Sequence, residues 1–195
     1  LQPTAEYVFS QKEVARRSLR NAALQILCLS DEACDIACAH EQFQDADNMT
    51  DQLAALRALR NSALPARDEV FRQLIDRFQN EPLVVDKWLA LQAQSAARGT
   101  ITNVSALMDH RLFDARNPNK LRALLGGFAL RNWSQFHADD GSGYAFLARQ
   151  IVQIDGRNPS VAAWLTSAFN RWRDGDLVTQ AKQKEVLQSI RNANG

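Results

Sequence analysis

Apolar positions in the first half of the chain recur at the three- and four-residue spacings that place side chains on one face of a helix. Val70, Phe71, Leu74, Ile75 and Phe78 form one stripe, Leu53, Leu56 and Leu59 a second, and Ala33, Ile36, Ala37, His40 and Phe43 a third. Helix-start signals fall where these stripes need them. Ser10 followed by Glu13 is a capping box, each side chain satisfying an orphan N–H of the first turn, and predicts a helix through about Leu29. A second helix is predicted over 31–44 and a third from Thr50 or Asp51. Proline lacks an N–H that the first turn does not use, so Pro65, Glu81-Pro82, Asn117-Pro118 and Asn158-Pro159 open four more. Gly99 and Gly156 fit the left-handed position just past a helix end. About ten helices joined by short polar loops account for the chain.

The last three proline starts lie 36 and 41 residues apart, close to the period of helix-pair repeats. The expected fold is all-α, a superhelical array of antiparallel helix pairs of HEAT or armadillo type, with residues 1–195 as a single domain. Composition agrees. Ala and Leu number 52 against 23 for Val, Ile and Thr, and unbranched side chains lose less rotamer freedom in a helix. Eight Gly and five Pro in 195 residues are too few for a sandwich or barrel rich in tight turns.

A net charge of +1 gives no field to gather nucleic acid or an anionic membrane, so neither is an expected partner. No apolar run approaches the ~20 residues that cross a bilayer, and the first residues do not form a signal peptide, which points to a cytoplasmic protein. The sequence opens at Leu1 rather than Met, as a piece of a longer polypeptide would.

Candidate chemistry thins out on inspection. Cys34 and Cys38 share a helix face, but at about 100° per residue His40 lies about 200° around the axis from Cys38, so with Glu41 they do not converge on a zinc ion. Cys34 and Cys38 read instead as small buried hydrophobes beside a half-exposed His40, and with Cys28 as reduced structural thiols. His40-Glu41 opens like a zinc-peptidase His-Glu-x-x-His, yet Gln44 stands at the second His, and neither His110 nor His137 has a His at helical spacing. Asp45, Asp47, Asn48 and Asp51 resemble the start of a calcium loop, but Thr50 and Leu56 stand where it needs Gly and Glu, so capping and solvation account for the acids. Gly141-Ser142-Gly143 has Asp139 and Asp140 beside it and no Lys after it, the pattern of a turn into a helix rather than a phosphate cradle. Arg16, Arg17 and Arg20 read as a solvated face, Asp86 and Lys87 as a surface pair, and Trp88 as structural. The residues alone thus describe a helical-repeat domain with no catalytic or metal site of its own.

Five segments resemble the C-terminal domain of the bacterial aminopeptidase N family, the alanyl aminopeptidases among the thermolysin-like zinc peptidases. They are Asp45-Ala-Asp-Asn-Met-Thr-Asp51, Pro82-Leu-Val-Val-Asp-Lys-Trp88, Asn117-Pro-Asn-Lys-Leu-Arg-Ala-Leu124, Phe136-His-Ala-Asp-Asp-Gly-Ser-Gly-Tyr144 and Arg157-Asn-Pro-Ser-Val-Ala-Ala163. They occur in the family's order and span most of the chain. The resemblance implies a parent whose upstream domain holds the zinc and the catalytic Glu, while this non-catalytic part caps the active-site groove and encloses a chamber for peptide substrates. It implies a further helix beyond the last one seen here. It also implies that Arg122 faces the chamber, the alternative being an arginine that ties two helices together. After Val161-Ala162-Ala163 the family pattern calls for a second chamber arginine, and this chain has Trp164, an aromatic wall in place of a cation. The competing expectation is a free-standing helical-repeat module that binds a protein partner on its concave face.

Overall fold

The structure, a computed structural model, describes residues 10–193. Every regular element among the described residues is helical, and the chain divides into two compact units at Phe78/Gln79.

In the first unit Ser10 accepts a hydrogen bond from the Glu13 N–H and opens α1 (Gln11–Leu27). A 3-10 turn follows, then α2 (Ala33–Asp45), α3 (Met49–Leu59) and α4 (Pro65–Phe78). The central element is α3, which packs against the other three helices. Leu53, Leu56 and Leu59 are buried along it, and Ala54, Ala55 and Ala58, also buried, let neighbours approach its backbone. Val70, Phe71, Leu74 and Ile75 are buried on α4 as their spacing predicts, whereas Phe78 at its end is only half-buried.

Three expectations fail here. The third helix starts at Met49 because Asn48, in an extended conformation, accepts from the Asp51 N–H at 3.0 Å and is the cap. The buried stripe of α2 runs Ile36, Ala39, Phe43, leaving Ala37 exposed. Cys34 and Cys38 lie off this stripe and are exposed rather than buried, while Cys28 is buried. The Cys28 thiol donates to the Asp35 carbonyl, and burial, followed by the nearby Asp35 charge, pushes its pKa up to about 11. A disulfide-exchange reagent such as Ellman's should therefore titrate two thiols in the folded chain and the third only after unfolding. Rapid reaction of all three would contradict the placement of Cys28.

Arg20 and Asp51 depart from the solvated roles expected of them. The Asp51 carboxylate, only 3% exposed, pairs with the Arg20 guanidinium and accepts from Asn21 Nδ2 at 2.8 Å and Asn48 Nδ2 at 3.0 Å. Gln42 joins the group, its Nε2 donating to Asn21 Oδ1 at 2.9 Å and to the Asp51 carbonyl at 3.1 Å. This network ties α1, α2 and α3 together.

The second unit begins with α5 (Pro82–Ala93) and α6 (Thr100–Met108). A longer helical segment follows, made of α7 (Pro118–Leu121), a π turn at Arg122–Gly126 and α8 (Gly127–Arg131). Then come α9 (Trp133–Phe136), α10 (Ser142–Asp155), α11 (Pro159–Thr166) and α12 (Leu177–Ala193). Pro82, Pro118 and Pro159 each occupy the first turn, as their sequence positions predict. Gly99 is left-handed at φ +85° but stands at the start of α6 rather than just past a helix end, and Gly156 is right-handed at φ −62°, with Asn158 capping α11 two residues on. Gly141 at φ +73° is the turn into α10, with Asp140 accepting from the Ser142 N–H. Two residues on, a Cβ on Gly143 would stand 2.4 Å from the Phe136 carbonyl oxygen, so α9 and α10 meet backbone to backbone.

The core of this unit is aromatic. Phe128 meets Phe136 and Phe146 edge-on, and Phe136 continues to Tyr144 and Phe169, the ring centroids 5.2 to 6.0 Å apart. Asn132 is buried and donates from Nδ2 to the Ala93 and Ser95 carbonyls at 2.9 and 2.6 Å, satisfying the end of α5 while its Oδ1 caps α9.

Candidate functional site

Arg122 follows directly on a helix start built for close packing. Asn117 accepts from the Asn119 N–H at 2.9 Å, Pro118 fills the first turn, and Lys120 turns inward. Lys120 is 8% exposed, and its Nζ lies 2.8 Å from Asp86 Oδ1 and 3.4 Å from the Pro82 carbonyl. The partner of Asp86 is thus Lys120 rather than the exposed Lys87 next to it. Neighbourhood in the sequence does not give this pairing, because the partner lies on another helix. Trp88 is buried, as expected of a structural residue, with its ring 5.3 Å from that of His110.

After Lys120 the helix widens into the π turn, an insertion that often marks functional sites. Gly127 brings this segment against α5, since a Cβ there would lie 3.3 Å from the Ala90 backbone. Gly126 admits α11 in the same way: a Cβ there would lie 2.4 Å from the ring of Trp164. Trp164 in turn reaches Arg122, whose guanidinium carbon is 5.8 Å from the indole centroid. Arg122 is exposed and Trp164 half-buried. The two residues singled out separately in the sequence therefore form one cation–aromatic site, bridged by 42 residues of chain. Such a surface can bind a carbonyl or carboxylate through the guanidinium and an apolar group on the indole.

A cavity of about 550 Å³ lies elsewhere in this unit, lined by Trp133, His137, Tyr144, Arg171, Asp176 and Gln183 among others. Its floor is a hydrogen-bonded pair, His137 Nδ1 and the Tyr144 hydroxyl at 2.7 Å, with Trp133, 76% exposed, tilted over the His137 ring. Burial lowers the His137 pKa and raises that of Tyr144, in each case favouring the neutral form. From the residues alone this stretch reads as a turn into a helix, and it is one of the five segments that carry the family resemblance. Nothing in its local pattern signals that Phe136-His137 folds back onto Tyr144.

Among the described residues no three His, Cys, Asp or Glu side chains gather where they could hold a metal ion, and no helix is long and apolar enough to cross a membrane.

Comparison with known proteins places these features. Residues 1–195 match the family described as a domain of unknown function (DUF3458_C) with ARM repeats. The chain is 38% identical over 187 residues to aminopeptidase N of Escherichia coli, covering 96% of this chain and 22% of that protein. It is 36% identical over 185 residues to aminopeptidase N of Haemophilus influenzae, covering 95% and 21%. The crystal structure of Legionella pneumophila aminopeptidase A in complex with aspartic acid superposes with a TM-score of 0.89 at 31% identity, over 99% of this chain and 23% of that one. The chain thus spans about a fifth of the length of these relatives.

Proposed function

Because the chain belongs to the DUF3458_C family of ARM-repeat domains and is homologous to the C-terminal domain of aminopeptidase N, we propose that it is the non-catalytic C-terminal domain of a zinc aminopeptidase that removes N-terminal residues from peptides. In this reading residues 1–195 work as one domain, capping the active-site groove and walling a chamber for the peptide. The observation that carries it is the meeting of Arg122 with Trp164 on an accessible face. A guanidinium fixed beside an indole suits the far end of a peptide, which offers carbonyls and a terminal carboxylate but no reacting bond.

The zinc belongs to the upstream domain in this proposal. Among the described residues the donors do not fit the metal: Cys28 is buried with a raised pKa, Cys34 and Cys38 face outward, and His137 is engaged with Tyr144. Its partners are then the other domains of the same polypeptide and the peptide substrate. Three free cysteines suit the reducing cytoplasm.

Expressing this chain and the remainder of its polypeptide as two separate proteins tests the assignment. They are expected to copurify, and hydrolysis of tetrapeptides is expected only when both are present. Full tetrapeptide hydrolysis by the remainder alone would overturn the proposal.

A further inference from the structure

We infer that the ion pair between buried Lys120 and half-buried Asp86 is a positioning device for Arg122, working together with the Gly126–Trp164 contact; the inference rests on the proposed role of Arg122 as a substrate contact. Lys120 and Arg122 are two residues apart, so at about 100° per residue they project from nearly opposite sides of the helix. The inward side is fixed. Lys120 reaches across to α5, where Asp86 holds its ammonium at 2.8 Å and the Pro82 carbonyl lies at 3.4 Å.

A charge this deeply buried stays where its partner is, because leaving it costs an unpaired ion in a poorly solvated place. The ion pair therefore sets the rotation of the first turn about its own axis, and that rotation decides where Arg122 points. On the other side the π turn carries Gly126 under the Trp164 ring, with no room for a Cβ between them. The indole, seated there, lies alongside the guanidinium. Arg122 is exposed, and a free arginine on a surface spreads over many rotamers. Held from behind by Lys120 and from the side by Trp164, it meets a peptide with less freedom left to lose.

Asp86 and Lys120 are engaged with each other and with the Pro82 carbonyl, so on this inference both act through Arg122. In the full-length enzyme, Asp86→Asn and Lys120→Gln are each expected to raise KM for a tetrapeptide by about three- to fivefold, with kcat and the hydrolysis of an amino-acid arylamide unchanged. Lys120→Arg keeps the ion pair and is expected to stay within about twofold of the parent. In an Arg122→Ala background, Asp86→Asn is expected to add nothing, since the group it positions is gone. If Asp86→Asn multiplies KM by its full factor in that background, or if peptide and arylamide hydrolysis fall together while the melting temperature drops, the pair is merely structural and the inference fails. An Arg122→Ala enzyme with an unchanged tetrapeptide KM would refute the contact itself and this inference with it. A raised KM in Arg122→Ala with none in Asp86→Asn would refute the positioning role alone.

Discussion

Replacing Asp51 with Ala is expected to destabilise the first unit by about 3–5 kcal/mol, the usual cost of breaking a buried ion pair by removing one partner. The carboxylate is nearly inaccessible and serves Arg20, Asn21 and Asn48 at once. Removing it leaves Asn21, itself buried, and the half-buried Arg20 guanidinium without the acceptor around which α1, α2 and α3 are joined. Asp51→Asn keeps the shape without the charge and is expected to cost less.

The same network fixes a pH dependence. Burial alone would raise the Asp51 pKa, but hydrogen bonds from Asn21, Asn48 and Arg20, with the Arg20 charge, outweigh it and hold the carboxyl below the usual carboxylate range. A group whose folded pKa is depressed contributes its stability in full above the unfolded value of about 3.9, and that contribution is lost as pH falls through the folded value. Denaturant melts followed by circular dichroism should show the Asp51→Asn chain losing less stability on acidification below about pH 4 than the parent does. Equal acid sensitivity would place the titrating group elsewhere.

What the sequence reveals and what it conceals separate along physical lines. Helix starts are legible because caps act within a few residues: Ser10 with Glu13, and the prolines at 82, 118 and 159, all stand where their local chemistry puts them. The calcium-loop likeness of Asp45 to Asp51 dissolves into a cap by Asn48, which local reasoning reached in kind though not in position. Burial of Asp51 was hidden because its partners come from α1, about thirty residues away. The same limit hides Lys120 as the partner of Asp86, and leaves the exposure of Cys34 and Cys38 beyond what the spacing on α2 can show.

The candidate site divides in the same way. Arg122 and Trp164 are visible as individual positions through the family likeness, including the departure at Trp164. Their contact is not visible, since it depends on a π turn that periodicity cannot predict. The adjacent Gly126 and Gly127 are the one local trace of it, two positions where a side chain would collide with α11 and α5.

The central claim, that this chain supplies a remote contact for the peptide, is tested most directly by Arg122→Ala in the full-length enzyme. A charge-assisted hydrogen-bond pair to a carbonyl or carboxylate is worth about 1.5–3 kcal/mol, or roughly ten- to a hundredfold in affinity. An arylamide is too short to reach the far end of the proposed chamber and reports the chemistry alone. The account predicts a KM for tri- and tetrapeptides raised about tenfold or more while arylamide hydrolysis stays within about twofold, the mark of lost remote binding rather than lost catalysis. Trp164→Ala, which removes the indole beside the guanidinium, is expected to raise KM for the longer peptides only. An Arg122→Ala enzyme that loses both substrate classes equally, or that keeps its tetrapeptide KM while its melting temperature drops, would show that Arg122 ties helices together and contacts no substrate.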